Sequence, residues 1–222
     1  QEIDYKEITK NLDVTFNGAF SLALKSSTDN VYSDTYSYLQ ANYFTGNLEF
    51  NPNEIKREMN KSARIGSVNE LDLSFLTNEQ RVLAVPFLNN LLAQEDLEIV
   101  KGLANSFNID VASSSLSNEH KYQLLALGSA VGSAVKVIEE TIIKASSVGR
   151  SQGVDVKGAL QAGVIGLVGG AIVGGKAGCA GGTVAFPGLG TATGCVGGAV
   201  IGGALGFIGG VAESILQDII FG

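Results

Sequence analysis

Apolar residues recur at helical spacing along most of this chain, and strand-like alternation is confined to one short stretch near its start. There Val14, Phe16, Phe20, Leu22 and Leu24 alternate, while Ala19, Phe20, Ala23 and Leu24 equally fit one face of a helix. No partner strand lies nearby, so helix is the expectation. The cluster Ser26-Ser27-Thr28-Asp29-Asn30 reads as a helix start. Behind it, Tyr32, Tyr36, Leu39 and Tyr43 fall at i, i+4, i+7 and i+11. That spacing favours a core-facing stripe over an aromatic surface for a partner.

Pro52 suits the first position of a short helix over residues 54–62. Residues 63–76 read as a connector anchored by Leu71, Leu73, Phe75 and Leu76. Thr77 is a candidate N-cap for a helix carrying Val82, Leu83, Phe87, Leu88 and Leu91, which Pro86 is expected to kink or split. Gln94-Glu95-Asp96 opens another helix with Leu97, Val100, Leu103 and Phe107, and the Ser-rich residues 109–117 are expected to form a linker. From Asn118, a fair cap, a long helix runs to about residue 148 with Leu124, Leu127, Val131, Val135, Ile138 and Ile142 on one face. Gly128 and Gly132 give it a small-residue face, expected to pack on the glycine-rich segment that follows.

Residues 158–212 then abandon this pattern: 55 residues hold 20 glycines and a single charge, Lys176. Gly166, Gly170, Gly174, Gly178 and Gly182 fall every fourth residue, and the step resumes at Gly190, Gly194, Gly198, Gly202, Gly206 and Gly210. Phe186-Pro187-Gly188 between the runs reads as a turn. The expectation is a hairpin of two helices, residues 158–186 and 190–221, with Ser151 or Asp155 capping the first. The whole chain is therefore predicted to be all-α. A helical N-terminal region, residues 1–117, precedes residues 118–222, the long helix plus the glycine-zipper hairpin.

Glycine in a helix costs about 1 kcal/mol relative to alanine, so the eleven in register cost on the order of 10 kcal/mol, as much as a domain's whole stability. Close backbone-to-backbone approach of two helices is the physical offset. Cys179 and Cys195 lie eight residues before and after Pro187, which sets them opposite each other on the two arms. A disulfide is expected there, worth about 3 kcal/mol for a loop of this size; two buried thiols are the alternative. Residues 158–175 give 18 uncharged positions and residues 188–212 give 25. Both reach the lower limit of a membrane span, although glycine makes them only weakly hydrophobic.

The chain of 222 residues suits one large or two small domains. Its net charge of −7 is uneven: residues 1–157 hold 20 of the 22 acidic and 14 of the 15 basic side chains. An acidic chain lacks the basic footprint of a nucleic-acid binder, and its contact with a membrane would have to be hydrophobic. One histidine and two cysteines argue against an ordinary zinc site, and no other metal or cofactor is indicated. The start at Gln1 fits removal of a secretory signal peptide, hence a secreted or cell-envelope protein in an oxidising compartment. His120, between Glu119 and Lys121, reads as solvated. The stretch Gly170-Ala171-Ile172-Val173-Gly174-Gly175-Lys176-Ala177 has the spacing of a phosphate loop, but Ala177 stands where a magnesium-binding hydroxyl is needed. No nucleophile-elbow sequence is present. No catalytic residue is assigned, and the expectation is a protein that is not an enzyme.

The segments Gly166-Leu167-Val168-Gly169-Gly170-Ala171-Ile172-Val173-Gly174 and Gly198-Ala199-Val200-Ile201-Gly202-Gly203-Ala204-Leu205-Gly206 resemble the glycine-zipper two-transmembrane segments of bacterial envelope proteins. They are also similar to the glycine-rich segments of colicin V-type bacteriocins. The resemblance covers about a quarter of the chain. It implies a secreted, bacteriocin-like or pore-forming protein that delivers or shields an inserting hairpin, with the lipid bilayer as its partner. The second implication is a structural or accessory subunit of a cell-envelope or surface assembly, its stripes gripping a partner helix or another copy of the chain.

Overall fold

The structure is a computed structural model that describes residues 4–46, 48–62, 68, 71–147, 154–181, 183–187, 189–192 and 194–221. Helix α1 (Tyr5–Ala23) settles the ambiguous opening stretch. Asp4 caps it, its carboxylate accepting from the Lys6 and Glu7 N–H groups. Ile8, Leu12, Phe16, Ala19, Phe20 and Ala23 form its buried stripe at steps of three and four, so the helical period prevails over the short alternation. Helix α2 (Val31–Asn42) buries Tyr32 and Leu39, and Tyr43 is buried just beyond its end. The tyrosine stripe is therefore core. Helix α3 (Asn53–Ser62) starts immediately after Pro52.

Thr77 and Gln80 form a reciprocal capping box at the start of α4 (Asn78–Ala93). Pro86 lies inside α4, which continues on both sides of it; the expected split does not occur. Helix α5 (Leu97–Ser113), capped by Asp96, takes in residues 109–113 of the expected linker and leaves 114–117 as the connection to the next helix. The reason is Val111, fully buried four residues after Phe107, which extends the stripe from Val100 and Ala104. Burial of one more apolar turn outweighs the weak helix preference of the serines. Helix α6 (Asn118–Ser147) spans the predicted long helix.

The hairpin consists of α7 (Val156–Gly181) and α8 (Gly194–Phe221). Asp155 caps α7, its carboxylate accepting from Gly158 N at 3.0 Å; Ser151 lies outside the described residues. The arms are shorter at the turn than the expected 158–186 and 190–221. Val184–Phe186 is strand β2 and Gly190–Ala192 is strand β3. With β1 (Thr45–Gly46) they make an antiparallel sheet in the order β1-β2-β3, pairing Thr45 with Ala185 and Phe186 with Gly190. Gly190 has φ +88°, the left-handed region that favours glycine, so this member of the register shapes a turn instead of a helix face. The all-α class holds, with eight helices and this one small sheet among the described residues.

One hydrophobic cluster runs from Ile8 to Ile215. Helices α1, α2 and α6 pack on α8, while α3 and α4 pack on α7. Phe186 at the turn is buried between the rings of Tyr43 (5.3 Å) and Tyr122 (4.8 Å), which fixes the end of the hairpin to α2 and α6. The α6 glycines are not what α6 offers the hairpin. A Cβ on Gly128 would strike the Asn108 side chain of α5, and one on Gly132 would meet open space. Large residues such as Leu124 and Leu127 face the hairpin instead, across a hollow they share with Leu167 and Val200.

Burial raises the Tyr32, Tyr43 and Tyr122 phenols above their ordinary value of 10.0, and the nearby Glu213 carboxylate adds to the shift at Tyr32. A group with a raised folded-state pKa contributes stability that is complete below the unfolded value and is lost as pH climbs toward the folded one. Unfolding free energy should therefore fall steeply above about pH 10. The measurement is urea unfolding by circular dichroism at stepped alkaline pH, with the tyrosinate absorbance of three of the six tyrosines appearing only as helix is lost. Tyrosinate absorbance of all six rising at full helicity would contradict it.

Candidate functional site

The two hairpin arms meet through glycine backbone. A Cβ built on Gly170 would fall within 3.0 Å of the Gly202 carbonyl oxygen, and one on Gly202 would do the same to the Gly170 carbonyl. The relation repeats for Gly166 with Gly206, Gly174 with Gly198, and Gly178 toward the Gly194 carbonyl. Gly210 closes the series against the Ala162 carbonyl, the one place where the opposite residue is not glycine. Real Cβ atoms essentially never approach that closely. The stripe is thus required by contact, and nine of the eleven register glycines lie on it. Gly190 is in β3, and Gly182 lies outside the described residues.

Glycine doublets turn a second set of glycines outward. Gly169, beside Gly170, leaves room for α3, where a Cβ would lie 3.2 Å from Glu58 Cβ and 3.3 Å from Met59 N. Gly209, beside Gly210, seats the ring of Tyr32 from α2. Gly197, beside Gly198, seats Val184 of β2, 3.0 Å from where its Cβ would be. The fourfold count did not reveal these positions; the doublets at 169–170, 197–198 and 209–210 are the signal that carried them.

Cys179 and Cys195 are joined in a disulfide with Cα atoms 4.2 Å apart. Helices lined by bulky residues stand 8–10 Å axis to axis; glycine contact brings the two chains close enough for the bridge. Both cysteines are exposed.

Charges bracket the hairpin. Toward its open end, Glu213 pairs with Lys56 of α3 at 3.1 Å and Lys157 pairs with Glu95 at 3.1 Å. Lys56 also donates to the Thr28 carbonyl and lies over the Tyr32 ring, while Tyr32 donates to Met59 Sδ at 2.9 Å. Asp218 of α8 accepts from the backbone N–H of Asp155, tying the two arms at the same end. Near the turn stands Lys176, five residues before the end of α7. Its charge, with that of Arg81, adds to two hydrogen bonds from Ser74 that hold the Asp72 carboxyl below its ordinary value. Residues 158–175 between these ends are uncharged and span about 27 Å at 1.5 Å per residue, close to the roughly 30 Å of a bilayer core.

Among the described residues, two helices are long and apolar enough to cross a membrane, Val156–Ala180 and Gly194–Ile219. The most apolar window of the second is 89% buried and that of the first 61%, so α8 is sheathed and α7 is partly open. An apolar hollow of about 30 Å³ lies at the seam between sheath and hairpin, bordered by Leu88, Leu124, Leu127, Leu167, Val200 and Gly203. The Gly170–Lys176 stretch is continuous α7, so its N–H groups serve the helix and form no phosphate loop. His120 is half-buried at the start of α6, where its carbonyl accepts from the Gln80 amide. Among the described residues, no three His, Cys, Asp or Glu side chains form a group able to hold a metal.

Replacing a contact glycine should cost stability, and replacing a marginal one should add it. Gly202→Ala forces the arms apart against a gain in helix propensity, for a net loss of about 2 kcal/mol. Gly175→Ala meets only ordinary contacts, the nearest Ala199 Cβ at 3.6 Å, and should gain up to about 1 kcal/mol. Chemical denaturation of the oxidised protein reads both; equal effects at the two sites would refute the zipper contact.

No protein-family model, no curated protein and no solved structure matches this chain.

Proposed function

We propose that this is a secreted, membrane-active protein of the pore-forming kind. Its hairpin is carried sheathed by α1, α2, α3, α4 and α6 and passes into a target bilayer. The observation that supports this most is where the hairpin keeps its cohesion. The glycine contacts and the disulfide are internal to α7 and α8, so leaving the sheath sacrifices neither. What the sheath covers is the outer surface, with Val168, Ile201, Leu205 and Ile208, whereas Phe207 and Val211 pack on Gly163 of the other arm. The sheathed side chains are as well satisfied by lipid as by protein, and small residues facing inward are what helix association in a membrane uses.

The charges agree with this reading. Glu213, Asp218 and Lys157 mark one edge of an uncharged layer and Lys176 the other. The match of that layer to a bilayer core lets both edges reach water or headgroups.

Vesicles loaded with self-quenching dye test the proposal. Micromolar oxidised protein should release the dye and float with the lipid, and Gly175→Ala should do both as well as the wild type. Gly202→Leu should float poorly and release little. Flotation without release would assign the chain instead to the structural or accessory role in an envelope assembly. Neither flotation nor release would remove the membrane reading altogether.

A further inference from the structure

Most structural disulfides are buried, but this one joins two exposed cysteines at the ends of two helices of opposite polarity. Cys195 is the second residue of α8, within the first turn, where the unpaired N–H groups carry the positive end of the helix dipole. Cys179 lies two residues before the last residue of α7, at the negative end. A thiolate is therefore favoured at Cys195 and disfavoured at Cys179. The better leaving group in thiol–disulfide exchange is the sulfur with the lower thiol pKa.

We propose that the Cys179–Cys195 disulfide is a directional thiol-exchange site, attacked at Cys179 Sγ by an external thiol and releasing Cys195. An external thiolate forms a new S–S bond to Cys179 Sγ as the protein's own S–S bond breaks. The electron pair leaves on Cys195 Sγ, which then takes a proton from water. A second thiolate attacks the external sulfur of the mixed disulfide, giving the oxidised reagent and a Cys179 thiolate that is protonated in turn. Two thiols are oxidised, and the protein disulfide is reduced by two electrons. The reagent is a small thiol such as glutathione, or the dithiol of an oxidoreductase.

The rest of the hairpin makes the site reversible. Gly178 is seated on the Gly194 carbonyl, and β2 is paired with β3, by contacts that do not run through the sulfurs. The two thiols are thus held near each other, and reclosure is intramolecular. One charge works against the asymmetry: Lys176 sits one turn before Cys179. This proposal does not depend on the membrane reading.

The full-length oxidised protein is treated with glutathione at mildly alkaline pH, and new thiols are trapped with iodoacetamide. Chymotryptic cleavage after Leu189 separates the two cysteines for mass mapping. Glutathione should be found on Cys179 and carbamidomethyl on Cys195, in at least about fivefold excess over the reverse arrangement. Equal or reversed labelling overturns the proposal, as does an intact disulfide under conditions that reduce a small-molecule disulfide. The single variants Cys179→Ser and Cys195→Ser give an independent reading from the pH dependence of alkylation. The thiol of Cys195 should titrate below the ordinary value of about 8.5 and that of Cys179 should not; the opposite order also overturns the proposal.

Discussion

The contact between glycine Cα atoms and the opposite carbonyls sets the spacing of everything else in this molecule. It brings α7 and α8 nearer than side chains on either helix would permit, and other features follow from that approach. The disulfide can form because the two backbones are 4.2 Å apart at Cys179 and Cys195. Most large apolar residues lie off the glycine stripe, because the stripe has no room for a Cβ; Phe207 and Val211 reach the opposite arm at Gly163. The outer surface of the pair then needs a cover, which α1, α2, α3, α4 and α6 supply. Nine in-register glycines cost roughly 1 kcal/mol each in helix propensity. Such a cost persists only where many close contacts offset it, so the stripe and the tight hairpin imply each other.

The helices were legible in the sequence because their stripes repeat over several turns. Ile8, Leu12, Phe16 and Phe20 fix α1, and the small-residue repeat fixes the pairing of α7 with α8. What escaped was short or tertiary in origin. Three-residue strands such as Val184–Phe186 are too brief to show alternation, and their pairing with Thr45 and Gly46 joins residues some 140 positions apart. The last turn of α5 was hidden by serine-rich composition, although Val111 keeps the apolar step. Gly128 looked like a partner for the hairpin but accommodates Asn108, since spacing specifies a flat face and not what occupies it.

The hairpin separates two tasks that most cores combine. Its cohesion comes from backbone contact and a covalent bridge, neither of which depends on the hydrophobic effect. Its hold on the surrounding helices does depend on it: burial of Ile201, Leu205 and Ile208 is favourable only relative to water. In contact with lipid that second term shrinks toward zero while the first persists. The few polar ties across the seam, Lys56 to Glu213 and Lys157 to Glu95, are partly exposed and so contribute little each. On the proposed membrane reading, transfer therefore exchanges one apolar neighbour for another and leaves the hairpin's own bonds unchanged. The strongest resistance lies at the turn, where Phe186 sits between Tyr43 and Tyr122 and β1 pairs with β2. On that reading, the turn is the last part of the hairpin to leave the sheath.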